Sequence, residues 1–202
     1  MSGVLEHIES PADVRRLSLS ELQCLATEVR EALIRTVLTT GGHMGPNLGF
    51  VEATIALHHV FSLPADKIVF DVSHQCYTHK MLTGRKRAFL DPSHYGEFTG
   101  FTNPSESEYD IFRAGHTSQA VSLACGLAKA RDLIGERHNV IAVLGDGSLS
   151  GGEAFEGLDN AAQLNTNLIV VFNDNAMSIA PNSGGVYQNF AELRRTDRKS
   201  VV

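Results

Sequence analysis

The stretch VIAVLGDGSLSGGEAFEGLDNAAQLNTNLIVVFNDNAMS, residues 140–178, decides the fold. Two short apolar runs, 139–144 and 167–172, flank a segment at 152–164 whose apolar residues recur at helical spacing. Continuous apolar runs of this length are typical of strands that are buried on both faces of a parallel sheet. The stretch therefore predicts a strand, a helix and a second parallel strand, joined by a right-handed crossover.

A polar cluster follows each of these two strands. Asp146 lies in a Gly-Asp-Gly turn after the first strand, and Asn175 closes Asn-Asp-Asn after the second. Neighbouring parallel strands end at one edge of a sheet, where α/β proteins bind ligands. The side-chain oxygens of Asp146 and Asn175 are the kind of ligand that Mg²⁺ prefers. Gly145 and Gly147 leave room for a phosphate group near the backbone, and the Ser148 hydroxyl can donate a hydrogen bond to that phosphate. Gly-Asp-Gly is also an ordinary turn, so only the pairing of the two clusters favours a site.

The composition is that of a globular protein that can bury a core: 202 residues, 43% hydrophobic and 20% charged. The net charge is -6, so we expect no nucleic-acid partner. No apolar stretch reaches the roughly 20 residues that span a bilayer, and the first residues lack the basic start and apolar core that are typical of a signal peptide. Three widely spaced cysteines argue against a disulfide framework and predict a cytoplasmic protein.

Other segments predict the scaffold around this unit. Ser18 and Glu21 form a capping box before a helix that ends at Gly41. The other predicted elements are a helix over 48–61 capped by Asn47, a strand over 67–72, a short helix over 77–82, and a helix capped by Thr117 or Ser118 that runs to about residue 133. Residues 91–110 lack a period and are interpreted as an ordered loop that covers a site.

Two histidines are placed for chemistry. His43 is the only titratable group in the glycine-rich loop 41–49, where it is either a site residue or a loop histidine that bonds a carbonyl. His74 follows the predicted strand 67–72 and shares a crevice with Asp146 if the strands share a sheet. The histidines inside helical patterns are interpreted as surface or packing residues: His58, His59 and His79.

The turn at Gly115 and His116 precedes a predicted helix start, which offers backbone N–H groups and partial positive charge to an anion. Two interpretations of His116 stay open: it bonds a phosphate, or it ties the loop down.

Separated motifs in a fixed order give the sequence a resemblance to the 1-deoxy-D-xylulose-5-phosphate synthase family of the transketolase superfamily. The likeness runs from about residue 17 to 195. The motifs are GGH at 41–43, LGFVE at 48–52, DVSHQ at 71–75, HKMLTGR at 79–85, SESEYD at 105–110, GH at 115–116, GDG at 145–147 and NDNAMSI at 173–179. The last two resemble the thiamine-diphosphate motif, although Asp174 separates its two asparagines here.

The resemblance implies an α/β fold with a doubly wound, mostly parallel sheet, helices on both faces, and a thiamine diphosphate site. It implies that Mg²⁺ is held by Asp146, Asn175 and the backbone carbonyl of Met177. The residues that it implies in contact with thiamine diphosphate are His74, Gly115, His116, Thr117, Gly147, Ser148 and Asn175.

The implied reaction decarboxylates pyruvate on the cofactor and transfers the two-carbon unit to glyceraldehyde 3-phosphate, giving a precursor of isoprenoids and thiamine. His43 is implied to face the substrate, and neutral His43 and His74 can exchange protons with substrate oxygens near pH 7. Two departures leave another acceptor open: residues 117–120 are poorer in Ser and Thr than in the family, and 100–104 lack a basic residue. A transketolase-like subunit or a noncatalytic module that binds Mg²⁺ and phosphate are the alternatives.

The resemblance also implies that residues 1–196 are an incomplete diphosphate-binding domain. In this family a pyrimidine-binding domain and a C-terminal domain follow, and the glutamate that activates the cofactor belongs to that part. We therefore expect the chain to be inactive alone and to belong to a homodimer when full length. Residues 197–202 match the translation of a common sequencing-adapter end, and our hypothesis is that they are a non-native tail.

Overall fold

The structure, a computed structural model, describes residues 3–175 and 181–195. Met177 and the predicted tail at 197–202 lie outside this part of the chain. Within it, three strands form one parallel sheet in chain order: β1 (Lys67–Phe70), β2 (Val140–Gly145) and β3 (Leu168–Asn173). The ends of each strand differ by at most two residues from those of a predicted apolar run. A buried strand can be recognised in this way because its apolar residues follow one another in the sequence.

Helices connect and flank the strands. The α-helices in the described residues are α1 (Pro11–Val14), α2 (Leu19–Thr40), α3 (Met44–Leu48), α4 (Val51–Val60), α5 (Tyr77–Lys80), α6 (Arg87–Leu90), α7 (Ala120–Leu133), α8 (Gly152–Leu164) and α9 (Gly185–Arg195). Short 3₁₀ segments occur at Leu5–His7, Pro92–His94 and Asp146–Ser150, and a π-type turn at Met81–Arg85. No helix in 3–175 or 181–195 combines the length and apolar character needed to cross a membrane.

The register of the sheet brings the ends of its strands together. Phe70 pairs with Val143 on β2, and Gly145 pairs with Asn173 on β3, so all three strands end at one edge. Helix α7 lies in the connection from β1 to β2, and α8 in the connection from β2 to β3. The predicted unit of strand, helix and parallel strand is confirmed.

Both faces of the sheet are covered, as expected for a doubly wound fold. On one face, Val69, Ala142 and Leu144 pack in a cluster with residues of α7 and α8. On the other face, Ile141 and Val143 pack with Phe50 and with residues of α4. The strands are therefore apolar on both sides, which explains their continuous apolar runs.

The capping box of α2 is confirmed. The Ser18 hydroxyl accepts a hydrogen bond from the Glu21 backbone N–H, and the Glu21 carboxylate accepts one from the Ser18 N–H at 2.7 Å. The helix ends at Thr40, and Gly41 follows with a φ of 76°. This left-handed conformation favours glycine.

The predicted helix over 48–61 is wrong in its first turn. The chain instead forms α3 and α4, which are separated at Gly49 and Phe50, and Phe50 has non-helical angles (φ -126°, ψ 13°). The ring of Phe50 is buried against one face of the sheet, in the cluster with Ile141 and Val143. Asn47 lies within α3 and does not cap α4.

The predicted capping of α7 by Thr117 or Ser118 is also wrong. The helix begins at Ala120, and its N-cap residue makes no side-chain capping bond. The buried carboxylate of Asp71, just after β1, accepts hydrogen bonds from the backbone N–H groups of Ser118 (2.8 Å) and Ala120 (2.9 Å). A side chain from the neighbouring strand therefore satisfies this helix start, as a local cap would.

We predict that Asp71→Ala lowers the free energy of unfolding by about 2–4 kcal/mol, because it leaves two buried N–H groups without an acceptor. Asp71→Asn keeps one acceptor oxygen and should lose less. Urea denaturation of the chain, followed by circular dichroism, measures both, with Asp159→Ala on the exposed side of α8 as the control. Equal midpoints for Asp71→Ala and the control would contradict this role.

Candidate active site

The candidate groups follow the three strands at one edge of the sheet. His74 lies beyond β1, Asp146 directly after β2, and Asn175 two residues beyond β3. The condition on which the interpretation of His74 depends, that β1 and β2 share a sheet, is met. The sequence therefore predicted the shared edge correctly.

His43 and His74 lie side by side near this edge. Their ring centroids are 5.4 Å apart in an edge-to-face arrangement, although 31 residues separate them along the chain. Phe101 also packs against His43, with ring centroids 5.4 Å apart. The loop over 91–110 thus contributes a wall to the site, as its lack of periodicity suggested.

Burial lowers the pKa of His74, and His43 beside it lowers that pKa further. His74 is therefore neutral at pH 7. Its Nδ1 atom is buried and has no hydrogen-bond partner among the described residues. A buried polar atom without a partner is uncommon, and it is available to a ligand.

Asn47 holds the two histidine segments together, a role that the sequence did not reveal. Its amide nitrogen donates to the backbone carbonyls of His43 (2.7 Å) and His74 (2.8 Å). Its side-chain oxygen accepts from the backbone N–H of Tyr77 at 2.9 Å. Asn47 is 1% exposed, so these directional bonds are shielded from water.

The turn between β1 and His74 is strained. Val72 and Ser73 have φ values of 57° and 68°, which non-glycine residues rarely adopt. Hydrogen bonds hold the turn in place: the Val72 N–H donates to the His116 carbonyl at 3.2 Å, and the Thr102 N–H donates to the Ser73 hydroxyl at 2.9 Å. Backbone strain of this kind persists only where surrounding contacts hold the residues in place. The strained turn lies directly before His74 in the chain.

The turn over Gly115, His116 and Thr117 is exposed. The expectation of free N–H groups at the start of α7 is wrong for Ser118 and Ala120, because both N–H groups bind Asp71. The Ser118 hydroxyl donates to the carbonyl of Ser148 at 2.7 Å and so connects this turn with the turn after β2. The two predicted phosphate-binding segments are therefore neighbours.

Asp146 is 4% exposed and is contacted by a segment that sequence reasoning passed over. The Asn182 amide nitrogen donates to a carboxylate oxygen of Asp146, and the Tyr187 hydroxyl donates to the Asp146 carbonyl at 3.0 Å. Both partners lie more than 30 residues downstream, so no local pattern indicated them.

The donor chemistry at this edge fits Mg²⁺ and a diphosphate. Asp146 and Asn175 supply hard oxygen atoms, and the buried Nδ1 of His74 can bind a polar group of a cofactor. No group of three or more His, Cys, Asp or Glu side chains in 3–175 or 181–195 could hold a metal ion. Asp146 and Asn175 offer one carboxylate and one amide, so a Mg²⁺ ion between them would need phosphate and water to complete its set of ligands.

A buried polar network supports the loop that carries Phe101. His58 Nε2 and His79 Nδ1 are 3.0 Å apart, and His79 Nε2 lies 3.1 Å from Asp110. Arg85 donates two bonds to the same carboxylate, at 2.7 and 2.8 Å. Of the two interpretations of His58 and His79, surface residues and packing residues, the first is wrong and the second is confirmed: both are about 1% exposed or less, and the ring of His79 packs against His58 and Phe70. The sequence did not indicate that both also belong to a hydrogen-bonded network.

The charges of this network are set by burial and hydrogen bonds. Burial raises the pKa of Asp110, but the bonds from Arg85 and His79 outweigh burial and hold that pKa well below its usual range. Burial lowers the pKa values of His58 and His79. At pH 7 the network therefore contains a paired carboxylate and guanidinium with two neutral imidazoles.

Comparison with known proteins agrees with the resemblance. Residues 5–201 match the family model described as 1-deoxy-D-xylulose-5-phosphate synthase. The protein of that name from Dictyoglomus turgidum is 51% identical over 192 residues, and 1-deoxy-D-xylulose-5-phosphate synthase 1 from Geobacter metallireducens is 52% identical over 202 residues. These alignments cover 95% and 100% of this chain but 31% and 32% of the relatives. The chain thus spans about a third of their length.

The fold is similar to that of the transketolase from Leishmania mexicana, with a TM-score of 0.72. The sequences are 20% identical, and the match covers 85% of this chain and 31% of that one. At this identity the likeness concerns the fold alone, and it confirms the predicted α/β thiamine-diphosphate-binding fold.

We predict that stability falls in two steps as pH decreases. Below about pH 6.5, His58 and His79 take up protons in the unfolded chain but stay neutral in the folded one, because burial lowers their pKa values. Below about pH 4, Asp110 takes up a proton in the unfolded chain but stays ionised in the folded one. In each window the unfolded state binds more protons, so acidification favours unfolding. Urea midpoints measured from pH 8 to pH 3 report this dependence.

Asp110→Asn should cost about 2–4 kcal/mol at pH 7, because it removes the closer carboxylate partner of buried Arg85 and leaves Glu106, at 3.5 Å, to pair with it. It should also flatten the pH dependence below about pH 4. Asp159→Asn, on an exposed position, is the matched control. If the stability of Asp110→Asn fell as steeply below pH 4 as that of the unsubstituted protein, Asp110 would not be the group responsible.

Proposed function

Because the chain belongs to the 1-deoxy-D-xylulose-5-phosphate synthase family, we propose that it is the diphosphate-binding part of a thiamine-diphosphate- and Mg²⁺-dependent transferase. The reaction proposed transfers a two-carbon unit from pyruvate to glyceraldehyde 3-phosphate and gives 1-deoxy-D-xylulose 5-phosphate. The observation that carries the proposal is the shared edge at which the segments with His74, Asp146 and Asn175 follow three parallel strands.

Cofactor binding is assigned to the turns after the strands. Asp146, Asn175 and the carbonyl of Met177 would hold Mg²⁺ against the diphosphate. The remaining proposed contacts to thiamine diphosphate come from His74, Gly115, His116, Thr117, Gly147, Ser148 and Asn175. When bound, the cofactor supplies a nucleophilic carbon and the electron sink for decarboxylation.

The chain's own contribution is to orient substrate and manage protons. His43 and His74 form a pair of imidazoles next to Phe101. His74 is neutral at pH 7 because burial lowers its pKa. A neutral imidazole can exchange a proton with a substrate oxygen near that pH. We assign the two histidines this role.

The length of the relatives supports a site that further domains complete. The proposal assigns a pyrimidine-binding domain and a C-terminal domain to the rest of the protein, including the glutamate that activates the cofactor. This chain alone is then inactive. A homodimer and a cytoplasmic location remain predictions of the same proposal, as does the non-native origin of 197–202, which sequencing the gene beyond codon 196 tests.

We predict that the complete protein encoded by the gene binds thiamine diphosphate only with Mg²⁺, and that Asp146→Ala weakens this binding by about 100-fold. The physical reason is the loss of the single carboxylate proposed to hold the cation. Isothermal titration calorimetry with and without Mg²⁺ measures the affinity. Asp159→Ala is the matched control, because it removes an exposed carboxylate from α8.

Equal affinities for thiamine diphosphate and ATP would instead favour a noncatalytic module that binds Mg²⁺ and phosphate. The reaction itself is tested by CO₂ release from pyruvate with glyceraldehyde 3-phosphate as acceptor. Activity with another donor or acceptor in the same screen would favour a transketolase-like enzyme, which the absence of a basic residue at 100–104 keeps open.

A further inference from the structure

We propose that Tyr77 is a positioning residue that fixes His43 in the tautomer with its proton on Nε2. His43 then presents the N–H group of Nε2 to the substrate as a hydrogen-bond donor. The tautomer is a property of this chain, whereas its use in catalysis rests on the proposed function.

The hydrogen bonds of the Tyr77 hydroxyl determine this tautomer. The backbone N–H of His43 donates to the phenolic oxygen at 3.4 Å, and a backbone N–H can only donate. The same oxygen lies 3.2 Å from His43 Nδ1. If Nδ1 carried a proton and donated it, the phenolic proton would have no acceptor among the residues that the structure describes.

With the proton on Nε2 of His43, every polar group at this contact has a hydrogen-bond partner. The phenol donates its proton to Nδ1 while its oxygen accepts from the His43 N–H. Tyr77 is 7% exposed, so a donor left unpaired here is unfavourable. Burial also raises the pKa of Tyr77, which keeps the phenol protonated and able to donate. With Nδ1 as the acceptor, the proton of neutral His43 is on Nε2.

Two glycines make room for this contact. A β-carbon added at Gly42 would lie 2.8 Å from the Tyr77 hydroxyl oxygen, and one added at Gly100 would lie 3.1 Å from it. Gly42 also has a φ of 126°, which side chains rarely tolerate. The hydroxyl therefore reaches His43 between two backbone segments that carry no side chains.

Asn47 fixes the backbones that carry the three rings. Its amide bonds the carbonyls of His43 and His74 and the backbone N–H of Tyr77. All three segments are thus held by one buried side chain. These three hydrogen bonds of Asn47 fix the position of the Tyr77 hydroxyl relative to His43. The packing of the tyrosine ring against Phe89 fixes it further.

The consequence for the proposed reaction is a division of roles. His43 donates from Nε2 to a substrate oxygen and so stabilises negative charge as it develops there. His74 has no partner at Nδ1 among the described residues and is neutral at pH 7, so it is the imidazole of the pair that is left to interact with the cofactor.

The experiment is nitrogen-15 NMR of the complete protein labelled only at histidine, because the two ring nitrogens of each tautomer have distinct chemical shifts. His43→Asn identifies the His43 signals. At pH 8 we expect a protonated Nε2 and an unprotonated Nδ1 in the unsubstituted protein. A protonated Nδ1 would overturn the proposal, and this measurement needs no turnover.

Tyr77→Phe should remove the preference and give a mixture of tautomers, with kcat roughly 10- to 100-fold lower and KM little changed. Tyr95→Phe is the matched control, since its buried hydroxyl has no partner among the described residues. An unchanged tautomer in Tyr77→Phe would overturn the role of Tyr77. If the tautomer is as expected but no substrate turns over, the proposed function fails and the assignment of Tyr77 stands.

Discussion

The buried carboxylate of Asp71, just after β1, accepts hydrogen bonds from the start of α7, and the arrangement of the candidate site depends on these bonds. It satisfies N–H groups that lie 47 and 49 residues further along the chain. A carboxylate can accept several such bonds at once, which a neutral cap cannot do as strongly. The turn with His116 therefore lies against the strained turn before His74, where the Val72 N–H binds its carbonyl.

The interior near the site is organised by directional bonds more than by apolar packing. The packing of the helices on the sheet depends mainly on hydrophobic burial, which has no preferred direction. Orienting an imidazole to a fraction of an ångström requires hydrogen bonds, and Asn47 provides them for the His43 and His74 segments. The network around Asp110 does the same for the loop with Phe101, because its Oδ2 also accepts from the Asn103 N–H at 2.8 Å. Buried polar groups of this kind stabilise a structure only when they are paired.

The sequence predicted what depends on neighbours along the chain. Buried parallel strands are local apolar runs, and the capping box at Ser18 needs only three residues, so both were found. Asn47, Asp71 and Asp110 were missed or misread because their partners are far away: Asn47 binds a carbonyl 27 residues downstream, and His79 binds Asp110 over 31 residues. The usable signal was weak, namely an acidic residue directly after an apolar strand, as at Asp71.

These contacts also determine how a ligand would meet the site. The segments with His43, His74 and His116 are held by Asn47, Asp71 and each other, so ligand binding need not order them, and less free energy is lost on association. Asp146 differs, because Asn182 and Tyr187 from a later segment bind it. A carboxylate has about four acceptor positions, so Asp146 can keep Asn182 and still bind a cation. The position of the segment at 181–195 is therefore coupled to whatever binds Asp146, whereas the histidine side of the site is fixed in advance.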